Sequence, residues 1–408
     1  MQQTRVAVLG GGLMGCCVAL VLAERGARVT LFDRADRLIA RASLHNEGKI
    51  HLGYVYAGDP SLSTARVMVR GAMRFSPFLQ RYLDLSLGRT ELSTHHAYLV
   101  HAASQRSLEE LRGYFRSVHG LIEEAAEDPK ADYFGADLRH APEQWSEARF
   151  SDFFDPQHAI AAFDTQELSV DPYALAQRFR ERISATPAIE VRLGREVQAV
   201  GAAAAGLGVV SAGSQGPESE RFDHVVNALW EGRLAVDASF GLAPERKWLN
   251  RFRYGVRFEK AAISKDLPSF TIIHGPFGGL VCYLSGAMYV NWYPACRMDT
   301  STALRPPEWP AYADEPLRSR IVDQSIAEVA KLIPALNKID RESLAEALVV
   351  GGHIFAWGST DTDDASSELH QRHDIGIVSV GQYHSIDPGK LSLTPYFAEI
   401  CADRILPA

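Results

Sequence analysis

"VAVLGGGLMGCCVALVLAERGARVTLFDR", residues 6–34, decides how the rest of the chain is read. Arg5–Leu9 is a short β-rich run of the kind buried in a parallel sheet. It enters Gly10-Gly11-Gly12-Leu13-Met14-Gly15, a G-x-G-x-x-G. Gly10 permits the tight turn, Gly12 lets the backbone approach a pyrophosphate, and Gly15 allows a helix to pack closely on the strand. The helix from Leu13 to about Arg25 presents the amides of Leu13 and Met14 to the phosphates. Gly26 ends it, Arg28–Phe32 forms a second strand, and Asp33 stands at its end beside Arg34. That carboxylate is placed to accept a ribose hydroxyl, and it would repel a 2′-phosphate. Strand, glycines, helix, strand and acid in this order read as a dinucleotide site for FAD or NAD rather than NADP. The fingerprint does not choose between FAD and NAD.

The same stretch imitates something else. Val6 to Ala23 carries no charge over eighteen residues and follows Arg5, as an export signal or membrane helix would. The four glycines at 10, 11, 12 and 15 divide the run into strand and helix, and a regular strand follows. A buried βα unit therefore explains the whole segment. No later segment reads as a membrane span.

The chain has 408 residues, 46% hydrophobic and 23% charged, with a net charge of −8. That is an ordinary soluble composition, long enough for two or three domains or one large two-lobed fold. The acidic balance and the lack of a basic cluster argue against nucleic acid as a partner. Cys16, Cys17, Cys282, Cys296 and Cys401 show neither a CxxC nor a disulfide-like spacing, which fits buried thiols in a reducing, cytoplasmic setting.

Further along, Pro60–Tyr82 reads as a helix, broken near Pro77, and Ala97–His101 as a strand. Ser104–Ala126 is a long amphipathic helix, and residues 127–158 read as loops. In "TQELSVDPYALAQRFRERI" (165–183) Asp171 can cap a helix with Pro172 in its first turn. Strands follow at Ile189–Leu193, Gln198–Val200, Gly208–Ser211 and 224–229, and residues 251–293 alternate as antiparallel sheet. Pro316–Ile333 is helical, "IGIVSVG" (375–381) reads as a last buried strand, "QYHSIDPGK" (382–390) as a turn, and Leu393–Ile405 as a helix. The pattern is α/β, α+β overall: a Rossmann-like nucleotide-binding domain interleaved with an antiparallel-sheet domain.

Beyond the fingerprint, three stretches carry a resemblance: "HNEGKIHLGYVY" (45–56), "ELSVDPYALAQRF" (167–179) and "SIDPGKLSLTPYFAEICADRI" (385–405). With these the chain resembles the D-amino-acid oxidase/glycine oxidase superfamily of FAD-dependent oxidoreductases over nearly its whole length. The first of the three is most similar to the flavin loop of L-2-hydroxyglutarate dehydrogenases and oxidases. The resemblance implies FAD, held by 1–60, 170–232 and 345–408, and a small-molecule substrate bound by 61–169 and 233–344. It implies hydride transfer from a C–N or C–O bearing carbon of an amino- or hydroxy-acid-like substrate to flavin N5. An NAD-dependent dehydrogenase and a non-catalytic flavin-binding partner stand as alternatives.

By the same resemblance Ser43, His45, Asn46, Glu47 and Gly48 lie along the flavin, with Val197, Asn227 and Ala228 near the dinucleotide. His45 corresponds to a position where some relatives attach FAD covalently. Asp387, Pro388, Gly389, Lys390 and Leu391 form a flavin-contacting turn, with Lys390 beside the pyrimidine; a surface lysine before a helix is its plainer reading. One departure is Leu229-Trp230, where the family often has a small pair.

His51 is a candidate base for a substrate proton, since imidazole titrates near neutral pH, or else a structural histidine. Lys49 lies near N5 or substrate, and His353 faces substrate by the resemblance. Tyr54, Tyr283 and His384 are candidate pocket residues. Arg251, Arg253 and Arg257 share one strand face, and Arg257 is assigned to a substrate carboxylate; a solvated arginine face is the alternative. His95–His96, His370 and His373 lack the partners of a metal site, and no hydrolase motif is present. The electron acceptor is oxygen or an unassigned partner, and the protein is expected to be a monomer or homodimer.

Overall fold

The computed structural model describes residues 3–85, 88–362, 364 and 366–407. The ends of the expected domain ranges, residues 1 and 408, lie outside them.

The opening stretch folds as its glycines dictate. Strands Arg5–Leu9 and Arg28–Phe32 pair in parallel through the helix Leu13–Glu24. Every residue of that helix from Leu13 to Leu22 is buried. The helices Thr394–Ile405 and Pro172–Ser184 also pack on it. A helix covered on several sides needs no polar face, which is why this run looks like a membrane segment in sequence.

Arg5–Leu9 lies inside a six-stranded sheet whose order is Gly376–Val380, Tyr383–Asp387, His224–Asn227, Arg5–Leu9, Arg28–Phe32, Ile189–Arg192. Its parallel neighbours lead away on opposite sides, so a crevice opens at the carboxyl ends of the central strands, the usual ligand position of such a sheet. A three-stranded antiparallel sheet, Glu196–Ala202, Leu207–Gly213 and Gly216–Phe222, is appended to it. The second lobe is an eight-stranded sheet. Its longest strand, Trp248–Phe258, pairs with Arg297–Ser301 and Met288–Trp292 on one edge and with Leu348–Trp357 on the other. The helix Glu315–Leu332 covers the apolar side.

Four expectations are corrected. Leu348–Trp357, assigned to the nucleotide-binding part by a boundary at 345, is hydrogen-bonded along the antiparallel lobe's longest strand. Residues 382–390 are not all turn, because Tyr383–Asp387 is a fully buried strand. The strand before it, Gly376–Val380, is a half-exposed edge rather than a buried element, with Val378 and Val380 open to solvent. Finally, Ser63–Leu83 runs unbroken through Pro77. All five cysteines are free and buried, as expected.

Candidate active site

A cleft of about 1680 Å³, open solvent at its mouth included, runs from the glycine loop to the base of the antiparallel lobe. Its outer half is built from the fingerprint. Gly10 takes φ +102°, and a Cβ there would stand 2.7 Å from the Ala228 carbonyl oxygen, so only glycine fits. A Cβ on Gly15 would lie 1.8 Å from the Gly10 carbonyl oxygen, so this glycine serves helix packing and does not line the cleft. Asp33 receives the amides of Gly11 at 2.6 Å and Ala35 at 2.7 Å, and its carboxyl still faces the cleft. Burial raises its pKa against the pull of those two amides. The Leu13 amide donates to Ser43 Oγ at 3.1 Å, which ties the loop after the second strand to the helix N-terminus.

Gly12, Leu13, Met14, Arg34, Ser43, Val197 and Ala228 line this half. So do Leu229 and Trp230, whose bulk does not close it. Trp230 is held at φ +55° while its indole N–H donates to the His353 carbonyl at 2.8 Å. At the mouth Glu231 accepts from Arg34 and Arg41, each at 3.2 Å, and Glu308 of the other lobe pairs with Arg34.

The inner half joins two stretches far apart in sequence. Ser392 Oγ accepts the His51 amide at 2.9 Å and donates to the Lys49 carbonyl at 3.3 Å. The loop after Gly48 is thereby stitched to the C-terminal turn. Gly48, at φ +61°, completes a turn whose amide donates to Asn46 Oδ1 at 2.7 Å. A Cβ on Gly48 would meet the Val170 carbonyl oxygen, so it shapes the loop without touching the cleft. Gly389, at φ +60°, donates its amide to Asp387 Oδ1 at 3.0 Å, and Arg233 braces the same aspartate at 3.4 Å.

This half is strongly cationic. Lys49, Arg253 and Lys390 line it together with Asn46, Glu47, His51, Tyr293, Pro388, Gly389 and Leu391. Arg253 pairs with Glu47 at 3.2 Å and lies 4.4 Å over the Tyr293 ring, while its Nη1 is buried without a hydrogen bond. Burial pushes the Glu47 carboxyl up, but Arg253, Lys390 and Lys49 outweigh that and hold it below its usual value. Burial, with Arg372 behind it, pulls the Lys390 ammonium down to about 7. Burial and then the cations Lys390 and Lys49 pull His51 well down, so its imidazole is neutral.

Other expected residues do not reach the cleft. His45 is buried, donates its Nδ1–H to the Gly351 carbonyl at 3.1 Å, and packs beside Tyr173 and Tyr312. Asn227 is spent inside the fold on the Arg233 carbonyl, Asp237 and Tyr383. Tyr54 is a core residue against Tyr98 and Phe115. Arg257 is buried and taken by Asp171 at 3.0 Å and Glu259 at 2.9 Å. Its neighbour Arg253 faces the cleft instead, and none of the three arginines is solvated. Tyr283 acts from behind, donating its hydroxyl to the Glu47 carbonyl at 3.0 Å. His384 bonds His224 and Ser379, away from the cleft. His353 does line it, but in the outer half near Glu231, Arg41, Arg34 and Glu308, remote from His51.

Sequence reasoning missed Glu167, Tyr293, Arg372 and the rim residues Arg41, Glu231 and Glu308. Glu167 lies in a stretch that the family resemblance had marked, but nothing local distinguishes it there from a surface acid.

The glycine cradle, the helix N-terminus, the anchored Asp33 and a cleft continuous with the 388–391 turn fit an extended dinucleotide. Comparison with known proteins agrees. The sequence model of the family described as FAD dependent oxidoreductase matches residues 5–353. The FAD-dependent monooxygenase FPY4 of Fusarium mangiferae is 37% identical over 79 residues, 19% of this chain and 20% of that protein. The chain thus matches about a fifth of that relative's length. The whole fold is similar to glycine oxidase from Geobacillus kaustophilus, with TM-score 0.69, 14% identity, and 98% and 94% of the two chains covered. It is likewise similar to L-proline dehydrogenase from P. horikoshii, with TM-score 0.67, 14% identity, and 99% and 93% covered.

Proposed function

The chain belongs to the FAD-dependent oxidoreductase family, and on that premise we propose that it oxidises a small amino- or hydroxy-acid at the carbon bearing nitrogen or oxygen. The observation that carries this reading is the cationic inner end of the cleft, where Lys49, Arg253 and Lys390 converge beside a neutral His51. Arg253 faces Glu47 and Lys49 faces Glu167, and the positive charge left over, with Lys390 unpaired among the described residues, suits an anionic ligand. Arg253 offers an unpaired, planar Nη1 suited to a substrate carboxylate. FAD, when bound, supplies the two-electron chemistry.

The chain's own groups bind, orient and move the proton. Gly10, Gly12 and the amides of Leu13 and Met14 hold the phosphates, and Asp33 the ribose. The 388–391 turn and Asn46–Glu47 would border the ring system, where the Lys390 ammonium would favour negative charge. Arg253 anchors the carboxylate. His51 accepts the proton leaving the substrate's hydroxyl or amino group. No helix among the described residues is long and apolar enough to cross a membrane.

The test is anaerobic bleaching of the purified yellow protein by amino acids, 2-hydroxy acids and simple amines. Bleaching by a carboxylate-bearing compound, and not by the amine lacking the carboxylate, is expected. Bleaching by none of the acids overturns the substrate class. Acid precipitation of the same sample releases the flavin into the supernatant if His45 carries no covalent link.

A further inference from the structure

One buried carboxylate stands directly behind two residues of the inner cleft. Lys49–Ile50 and Leu168–Ser169 form a short antiparallel ladder in which Lys49 faces Ser169 and Ile50 faces Leu168. One step further, the same register sets His51 opposite Glu167. Glu167 is wholly buried. Its Oε2 receives the Leu52 amide at 2.6 Å, and its Oε1 receives the Tyr98 hydroxyl at 2.5 Å. The same Oε1 lies 3.7 Å from both Lys49 Nζ and His51 Nδ1. Lys49 is held from its other side by Thr271 Oγ1, which is also 3.3 Å from His96 Nδ1. His51 Nδ1 is buried without a hydrogen-bond partner, although the residue lines the cleft. Nε2 is therefore the nitrogen left for a ligand, and Nδ1 the one facing the carboxylate.

A buried carboxylate is costly unless its oxygens are used. Leu52 and Tyr98 account for part of that use, and a purely structural pin would need nothing more. Lys49 and His51 are a different matter, because both converge on the oxygen already taken by Tyr98, and both line the cleft.

We propose that Glu167 is a positioning residue that fixes His51 as the Nδ1–H tautomer and so presents a bare Nε2 to the substrate proton. This rests on the oxidoreductase reading above. In the step it serves, the substrate C–H bond breaks with its electron pair passing to FAD as hydride. The O–H or N–H bond breaks with its proton passing to Nε2, and the C=O or C=N bond forms. His51 becomes an imidazolium whose Nδ1–H faces the Glu167 carboxylate, and the proton leaves to water once product departs. Base and orienting acid on opposite ring nitrogens is the arrangement that fixes an imidazole for proton transfer. The charged and titratable groups around His51 are Lys49 on its own strand and Glu167 across the ladder. His96 faces it from the strand that also brings Tyr98 onto Glu167, Tyr56 from the following loop, and Lys390 and Arg372 from the C-terminal segments.

The test uses the FAD-loaded full chain labelled with 15N-histidine, with His51 assigned through H51Q. In the wild type His51 is expected as one tautomer protonated at Nδ1. In E167Q, which can keep the Leu52 and Tyr98 bonds, it is expected to become a tautomer mixture with a lower titration point. E167D keeps the charge and is expected to restore most of the wild-type signal; it is also read if E167Q does not fold. In parallel, anaerobic bleaching is followed against pH with D,L-lactate, D,L-malate, D,L-2-hydroxyglutarate and D,L-alanine. The rate is expected to fall about a hundredfold in E167Q with KM little changed. A His51 tautomer and titration unchanged by E167Q overturn the inference, as does an unchanged bleaching rate and pH profile. If none of the four compounds bleaches the flavin, the substrate reading fails alone and the histidine spectra still decide this one.

Discussion

Asp33 Oδ2 accepts the Gly11 amide at 2.6 Å, so the acid that ends the second strand is fastened to the glycine loop 22 residues before it. The bond makes one carboxylate serve two purposes. It holds the glycine loop in place, and under the proposed function its remaining acceptor capacity would serve a ribose. Asp33→Ala removes both. Hydrogen bonds to a charged group contribute roughly 2 kcal/mol, so FAD affinity should fall about thirtyfold. Flavin fluorescence quenching on titration of the cofactor-free protein measures this directly. Affinity within a factor of two of wild type would mean that Asp33 holds only the loop.

The nucleotide half was legible in sequence because its constraints are local. Tight turns, close approach and helix capping each demand a residue type at fixed spacing, and Gly10, Gly12, Gly15 and Asp33 supply them. The inner half was legible only in part, because its partners come from strands distant in sequence. Arg253 and Arg257 are indistinguishable by alternation, since both lie on the same strand face. Each keeps one buried Nη1 without a partner; what separates them is where they end up, Arg257 held behind the cleft by Asp171 and Glu259, and Arg253 paired with Glu47 on the cleft wall. His45 and His384 differ from expectation for a similar reason, since contacts distant in sequence hold them away from the cleft: His45 through Gly351, with its Nε2 left unpartnered, and His384 through His224 and Ser379.

Gly15 allows a test of the fold apart from chemistry. A methyl group there would lie 1.8 Å from the Gly10 carbonyl oxygen, a backbone atom that cannot step aside. Gly15→Ala must push the helix off the strand, an overpacking change that costs roughly 1–3 kcal/mol. Thermal unfolding of the cofactor-free protein should shift down by several degrees, and FAD should restore part of the loss. Gly26→Ala is a fair contrast, because nothing lies within 4 Å of a Cβ there, although its φ of +89° adds strain of its own.

Arg253 is the predicted anchor of the substrate carboxylate. Arg253→Met should raise KM for an acid that bleaches the flavin by about thirtyfold, the roughly 2 kcal/mol of a charged hydrogen bond. The bleaching rate at saturation should change far less, because the anchor binds ground state and transition state alike. Arg253→Lys should recover little, since an ammonium lacks the planar fork and the stacking over Tyr293. Loss of rate with KM unchanged would place Arg253 at the reacting centre instead.

Lys390 gives a pH signature. Burial, with Arg372 behind it, lowers its ammonium to about 7 in the folded protein, while an unfolded lysine stays protonated to about 10.4. Between those values the unfolded chain binds more protons, so this group makes stability rise with pH across the window. Below pH 7 it is charged in both states and contributes no slope. Lys390→Met should therefore flatten the stability difference between pH 7 and 9.5 in the cofactor-free protein, read by denaturant midpoints. In the flavoprotein the same variant should lower the two-electron potential by about 30 mV, or about 1.4 kcal/mol, because a cation beside the reduced flavin is lost. A potential unchanged by the substitution would place Lys390 away from the flavin.

Charges from both lobes meet at the cleft's mouth. Glu308 of the antiparallel lobe pairs with Arg34 at the end of the second strand, and Arg305 pairs with Glu196 at 2.7 Å. Arg305, Pro306, Pro307 and Glu308 all line the cleft, so this segment forms a charged rim beside the glycine-loop half. Glu308 and Arg305 are well exposed, and exposed pairs contribute only about 0.2–1 kcal/mol each. Their effect should appear in how fast the cofactor leaves rather than in the fold. Glu308→Ala should speed FAD dissociation about two- to fivefold without changing the unfolding temperature of the cofactor-free protein. Salt should do the same to the wild type, and the variant should respond less to it, because screening removes what the mutation has already removed. Dissociation followed by flavin fluorescence at low and high salt gives four rates. Equal salt dependence in both proteins would show that the rim charges do not retain the cofactor.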